Sequence, residues 1–194
     1  STIKGVIEDV TEIVLNLKNF SRLDRAKVSE FSVEAGLEST LMLAKNLLKN
    51  KVEVRKEFGA VPTVTGSPSQ INQVFLNIIS NAVHAMPERA EPNVITLRTA
   101  RDEGDMVRVE IQDNGSGIPR DVLPKIFDPF FTTKPIGQGT GMGLSISFKI
   151  VQEHGGKITV DSESGVGTVF TILLPIKALQ AAPAVIDHGD LVAA

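Results

Sequence analysis

Between Ser67 and Met86 the apolar residues Ile71, Val74, Phe75, Ile78, Ile79, Ala82, Val83 and Met86 recur at steps of three and four, the spacing of a helix with one buried stripe. Ser67 is its candidate N-cap, Pro68 suits the first helical position, Gln70 closes a capping box and Pro87 marks the end. A different period governs the stretch before Asp113. Val107, Val109 and Ile111 alternate with Arg108, Glu110 and Gln112, which predicts a half-buried strand with Asp113 at its end. At the N-terminus Ile3, Val6, Val10, Ile13, Leu17 and Phe20, widened by Ile7 and Val14, form the seam of a bundle helix. A lone helix cannot bury such a stripe, so it needs partner helices.

The same reading along the rest of the chain predicts a helix near 2–22, a strand near 28–33 and a helix near 34–49 with Leu37, Leu41, Ala44 and Leu48 on one face. Strands follow near 51–57, 93–100 and 106–113, then a short helix from Pro119, a lid over 128–140, a helix near 141–154, and strands near 156–162 and 167–174. The sum is a two-layer α/β sandwich, a mixed sheet with helices on one face, preceded by a long bundle-forming helix. Residues 1–26 are read as bundle helix and hinge, 27–177 as the globular domain, and the Ala-rich stretch 178–194 as a linker or tail.

Three segments carry candidate chemistry. The face of the 67–86 helix opposite its stripe holds Gln70, Gln73, Asn77, Ser80, Asn81 and His84, and nothing from Gly66 to Pro87 carries a formal charge apart from that titratable imidazole. Exposed helix positions ordinarily go to Lys, Glu or Arg, whereas two asparagines four apart offer amide oxygens to a hard cation without adding charge beside phosphates. Asp113-Asn114-Gly115-Ser116-Gly117-Ile118 places a carboxylate at the mouth of a tight turn, whose glycines are expected to bend the backbone out of a ligand's way. Gly139-Thr140-Gly141-Met142-Gly143-Leu144 enters a helix, offering free N–H groups and a positive dipole end to an anion such as phosphate. That loop is neither a P-loop nor a Rossmann fingerprint.

In this order the segments resemble the ATP-binding domain of sensor histidine kinases, within the Bergerat-type ATPase fold shared with type II topoisomerases and mismatch-repair ATPases. Gln73 to Ala82 looks like the family's asparagine box, and Asp113 to Gly117 like its first glycine box. Phe127-Asp128-Pro129-Phe130-Phe131-Thr132-Thr133-Lys134 resembles the phenylalanine box, Gly139 to Gly143 the second glycine box, and Gly165 to Phe170 the closing strand. The resemblance implies that ATP and Mg²⁺ are the cofactors. It further implies that Asp113 accepts from the adenine amino group, with Gly115, Gly117, Ile118 and Thr168 around it, and that Asn77 and Asn81 hold the metal. It makes His84, Lys134, Gly139, Thr140, Gly141, Met142, Gly143 and Leu144 contacts of the phosphate and lid region, beside Phe130, Thr132 and Thr133.

In topoisomerase-like relatives a Glu that activates water stands where this chain has Asn77, and an amide is no general base. The resemblance therefore favours phosphoryl transfer over hydrolysis: a protein histidine kinase whose acceptor His lies on an upstream helix outside this chain. It implies a homodimer through the N-terminal helix and a response regulator receiver domain as recipient. A chain starting at Ser1 reads as a fragment of a longer kinase, unable to phosphorylate itself alone. Other readings are a serine kinase of the anti-sigma type and a degenerate scaffold for phosphotransfer.

Composition narrows the partners. With 194 residues, 42% of them hydrophobic, the chain can bury one core. A net charge of −3 gives no footprint for nucleic acid or an anionic membrane. The absence of Cys suits a reducing compartment, and no apolar run has the length of a membrane span, so the expected setting is cytoplasmic, with a parent protein that a membrane could still anchor. Of the remaining histidines, His154 is expected to be a helix-end residue favoured by the dipole, and His188 falls in the tail.

Overall fold

The protein is described by a computed structural model covering residues 27–88, 91–133 and 141–177. The bundle helix expected over 2–22, its hinge, most of the lid and the tail at 178–194 lie outside the described residues.

A short strand β1 (Ser29–Phe31) leads into helix α1 (Val33–Leu43), which Ser32 caps through its Oγ on the Ala35 N–H, and a one-turn helix α2 (Lys45–Leu48). Strands β2 (Val52–Phe58) and β3 (Val64–Gly66) precede helix α3 (Pro68–His84). Then come β4 (Asn93–Asp102), β5 (Met106–Asp113), helix α4 (Gly143–Glu153), β6 (Lys157–Glu163) and β7 (Gly167–Pro175). The main sheet has the order β2-β4-β5-β7-β6, parallel only between β2 and β4, and β1 pairs with β3 in a separate two-stranded ribbon.

Register explains where the core lies. On the helix-covered face, Leu97, Ile111 and Phe170 form one cross-strand row, and Thr99, Val109, Ile172 and Ile158 the next. All seven are buried, against the stripe Ile71, Val74, Phe75, Ile78 and Ile79 of α3 and Ile146, Ile150 and Val151 of α4. The alternate residues Glu57, Arg98 and Gln112 join across the other face, Arg98 reaching the Glu57 and Gln112 side chains at 2.6 Å each. One face buried and one polar is the two-layer arrangement expected from the sequence.

Four local expectations need correction. The helix expected over 34–49 is interrupted at Ala44, whose ψ is 2°, and its buried stripe includes Thr40, with Leu41 only half-buried against the same core. Thr40 is buried without a polar penalty because its Oγ1 donates to Gly36 O at 2.8 Å. Instead of a helix from Pro119 there is a turn followed by a 3₁₀ segment at Leu123–Lys125. Strand β3 went unforeseen. Finally, the capping box is only half formed: Ser67 Oγ accepts from the Gln70 N–H at 3.4 Å, but the Ser67 N–H donates to His154 Nε2 at 2.9 Å.

That last bond changes the role of His154. Ile150 O, 2.7 Å from Nδ1, can only accept, and the Ser67 N–H can only donate, so the ring proton sits on Nδ1 and the imidazole bridges as a neutral group. It ties the C-terminal end of α4 to the N-terminal end of α3 rather than acting as a cation on a dipole. Because Ser67 is 2% exposed, His154→Ala leaves its N–H without a partner, and an unsatisfied buried donor costs about 1–3 kcal/mol. Urea unfolding should show that loss, with His154→Gln recovering part of it.

Candidate functional site

The next cross-strand row on the helix-covered face is where the apolar pattern breaks: Ile95, Asp113, Thr168 and Ser162 stand directly opposite one another across β4, β5, β7 and β6. Asp113 is 6% exposed and Thr168 4%. Burial raises the Asp113 carboxyl above its ordinary value, and backbone N–H bonds from Gly115 and Thr168 partly oppose that rise. The Gly115 N–H lies 2.8 Å from Oδ1. A buried carboxylate held by two main-chain donors and facing no cation among the described ion pairs is costly to fold, which makes it a candidate binding group.

The loop after Asp113 is clamped from both sides. The Ser116 N–H donates to Ala85 O, just past α3, at 3.0 Å, while Gly165 N–H donates to Ser116 O at 2.7 Å and Ile118 N–H to Ser162 Oγ at 2.8 Å. Gly117 has φ 68°, and a Cβ there would overlap the Glu163 carbonyl. The glycine is required by the protein's own backbone, which a Cβ there would meet. Ile118 packs against the core from a half-buried position.

Helix α3 spans the site. Asn77 Nδ2 donates to Gly143 O at 3.0 Å and to Ser147 Oγ at 3.2 Å, and its Oδ1 accepts from Gln73 Nε2 at 2.8 Å. Asn77 thus fastens α3 to the start of α4, and its oxygen keeps a second lone pair. Asn81 is half-buried one turn on, and the exposed His84 has its Nδ1 3.5 Å from Ser80 Oγ. From Asn77 to Ala85 the helix rises ~12 Å. A ligand touching both the Asp113 loop and the start of α4 must be about that long.

At α4, Met142 occupies the N-cap without a side-chain capping bond, so the first-turn amides of Gly143, Leu144 and Ser145 have no side-chain cap, and the dipole there is positive. Gly141 has φ 66° with its Cβ position filled by the Phe130 main chain, whereas Gly143 has ordinary room for a Cβ, 3.7 Å from Asn77. Met142 and Leu144 are half-buried against the core. Phe127 anchors the phenylalanine segment on Phe148, ring centroids 5.3 Å apart, and on Phe170 at 6.5 Å. Phe130 is 72% exposed with φ 65°, so its backbone, not its ring, meets Gly141. Thr132 and Thr133 are exposed, and Lys134, Gly139 and Thr140 lie outside the described residues.

The structure thus joins Asp113, Gly115, Gly117, Ile118 and Thr168 at the C-terminal end of α3 and Asn77, Gly141, Met142, Gly143 and Leu144 at its middle, with Asn81 and His84 on the turns between. A groove of about 740 Å³ lined by Leu47, Lys51, Val83, His84, Pro87 and Asn93 shares only His84 with this set. Sequence reasoning missed Ser147 and Ser162, whose partners lie on other elements or turns, and placed Gln73 on the polar face without its bond to Asn77. Only the i, i+4 pair Gln73–Asn77 left a signal that could have been read.

Residues 66–178 match the family described as Histidine kinase-, DNA gyrase B-, and HSP90-like ATPase, and the chain belongs to it. Within that family its relatives are sensor kinases. It is 39% identical over 188 residues to sensor kinase CckA of Brucella abortus, covering 89% of this chain and 20% of that protein. To signal transduction histidine-protein kinase AtoS of Escherichia coli it is 34% identical over 178 residues, covering 91% of this chain and 28% of that one. The chain therefore spans between a fifth and three tenths of the length of these relatives. The catalytic domain of histidine kinase ThkA superposes with a TM-score of 0.68 at 32% identity, covering 78% of this chain and 99% of that domain. Full-length ShkA, solved with AMPPNP, gives 0.74 at 26% identity over 90% of this chain and 37% of its own. No helix among the described residues is long and apolar enough to cross a membrane.

Proposed function

We propose that this chain is the Mg-ATP-binding catalytic part of a sensor histidine kinase, holding the γ-phosphoryl group for transfer to a His on an upstream helix. The observation that carries this is the buried Asp113 carboxylate, set beside the C-terminal end of α3, whose middle is fastened through Asn77 to the uncapped start of α4. In this reading Asp113 accepts from the adenine amino group, with Gly115, Gly117, Ile118 and Thr168 shaping the base pocket. Asn81 and the remaining lone pair of Asn77 hold Mg²⁺, a hard cation suited to neutral oxygen ligands. The α4 amides, His84 and Lys134 meet the phosphates. Asn77 supplies no general base, and phosphoryl transfer depends mainly on positioning and charge neutralisation.

The relatives extend the reading to the whole protein. A ThkA complex with response regulator TrrA shares this fold at a TM-score of 0.69 and 26% identity, which supports a receiver domain as the recipient here. Residues 1–26 act as the second helix of a dimerising hairpin plus hinge, 27–177 as the catalytic domain, and the setting is cytoplasmic. The test uses γ-labelled ATP. The chain should bind Mg-ATP and Mg-ADP yet stay unlabelled alone, and a segment supplying the acceptor helix should become labelled in an acid-labile, base-stable form. Absence of Mg-ATP binding, or such label on this chain alone, would overturn the assignment.

A further inference from the structure

Ser162 lies beside the base pocket and has no part in the reading above, yet three groups converge on its hydroxyl. The Ile118 N–H donates to Oγ at 2.8 Å, Ser162 Oγ donates to Gly167 O at 3.0 Å, and Thr168 Oγ1 is 2.8 Å away. A serine hydroxyl has one proton and two lone pairs. With its proton on Gly167 O and one lone pair on the Ile118 N–H, all three contacts are met only if Thr168 donates its own proton to the second lone pair. The opposite order, Ser162 donating to Thr168, forfeits the bond to Gly167 O. Counting bonds therefore selects the first.

We propose that Ser162 is a specificity-determining positioning residue: it consumes the Thr168 hydroxyl proton, so that Thr168 offers the pocket lone pairs alone. Thr168 is the cross-strand partner of Asp113 and contributes its main-chain N–H to that carboxylate. The pocket then presents acceptors from both side chains and selects a base that brings an amino group to them. Guanine, with a carbonyl at the equivalent position, meets acceptors only. This inference rests on the base-pocket reading of Asp113, and it adds that discrimination is set one strand further away, on β6.

The experiment is calorimetric titration of Mg-ATP and Mg-GTP against the wild-type chain, Ser162→Ala, Ser162→Thr, Thr168→Val and the double variant Ser162→Ala/Thr168→Val. Ser162→Ala frees the Thr168 hydroxyl to donate to a guanine carbonyl, so the ATP:GTP affinity ratio should fall about tenfold, the scale of one hydrogen bond. Ser162→Thr, which keeps a hydroxyl, should hold the wild-type ratio, and in the Thr168→Val background Ser162→Ala should leave the ratio unmoved. If Ser162→Ala weakens both nucleotides by the same factor, or changes the ratio equally without the Thr168 hydroxyl, Ser162 only anchors the loop and the proposal is overturned. Should Ser162→Ala fail to fold, Ser162→Cys, a weak acceptor of similar size, carries the same expectations. Failure of the pocket reading looks different: Asp113→Asn would leave ATP affinity unchanged, whatever Ser162 does.

Discussion

Gly117→Ala should abolish nucleotide binding in practice and cost the fold several kcal/mol, while Gly104→Ala, at nearly the same backbone angle, should cost only the strain of that angle, about 1–2 kcal/mol. Both glycines have left-handed backbones, φ 68° and φ 69°, and a non-glycine residue there costs roughly 1–2 kcal/mol. The difference is what surrounds them. A Cβ at Gly104 meets nothing within 4 Å, but at Gly117 it overlaps the Glu163 carbonyl and comes within 3.1 Å of Ser164 Cα. Backbone cannot rotate aside as a side chain would, so the loop must move away from the β6–β7 turn, adding an overpacking cost of about 1–3 kcal/mol. That movement also breaks the bonds from Gly165 N–H to Ser116 O and from Ile118 N–H to Ser162. Urea unfolding of the two variants, with Mg-ATP titration of each, separates the backbone cost from the steric one. Equal stability losses would show that the clamp on the loop is slack and that the angle alone demands glycine.

The same contacts show why some of this was readable in the sequence and some was not. Helix α3 was legible because its stripe repeats every three or four residues over more than four turns, and the break to uncharged polar residues on the other face is itself unusual. Asp113 was legible as the end of an alternating strand, and its strand does end there. Strand β3 has three residues, too few for a period, and its partner β1 is equally short. The pairing of Asp113 with Thr168 depends on register between β5 and β7, far apart in the chain, which no local pattern encodes, and Ser162 joins the row only through the β6–β7 hairpin. His154 and Ser67 are 87 residues apart, so the half-formed capping box could only be completed once α3 and α4 were packed. The resemblance supplied the order of the glycine segments, but not the reasons: Gly117 and Gly141 are needed where the backbone approaches itself, and Gly143 has room to spare.

Asp113→Asn should move folding and binding in opposite directions, and it should do so with a pH signature. Burial raises the Asp113 carboxyl above its ordinary value, so the folded chain favours the protonated form more than the unfolded chain does. The stabilisation tied to that proton is complete below the unfolded value and is lost as pH rises through the raised folded value. At neutral pH the unliganded protein therefore carries a penalty for the ionised group. The amide introduced by Asp113→Asn keeps an oxygen for the Gly115 N–H and carries no charge, so the unliganded variant should be as stable as wild type or more so at pH 7, the advantage vanishing on acidification. Binding runs the other way, because an amino group donates best to a carboxylate, and losing a charged partner in a desolvated pocket costs about 1.5–3 kcal/mol, roughly tenfold to a hundredfold in affinity. As pH falls through the raised value, wild-type affinity for ATP should drop toward that of the variant, whose own affinity stays flat across the same window. Thermal unfolding without ligand and ATP titration from neutral pH downward measure both arms. A variant that lost stability at pH 7 and bound ATP as wild type does would make Asp113 a turn residue held for the fold, and would remove the adenine pocket from this end of α3.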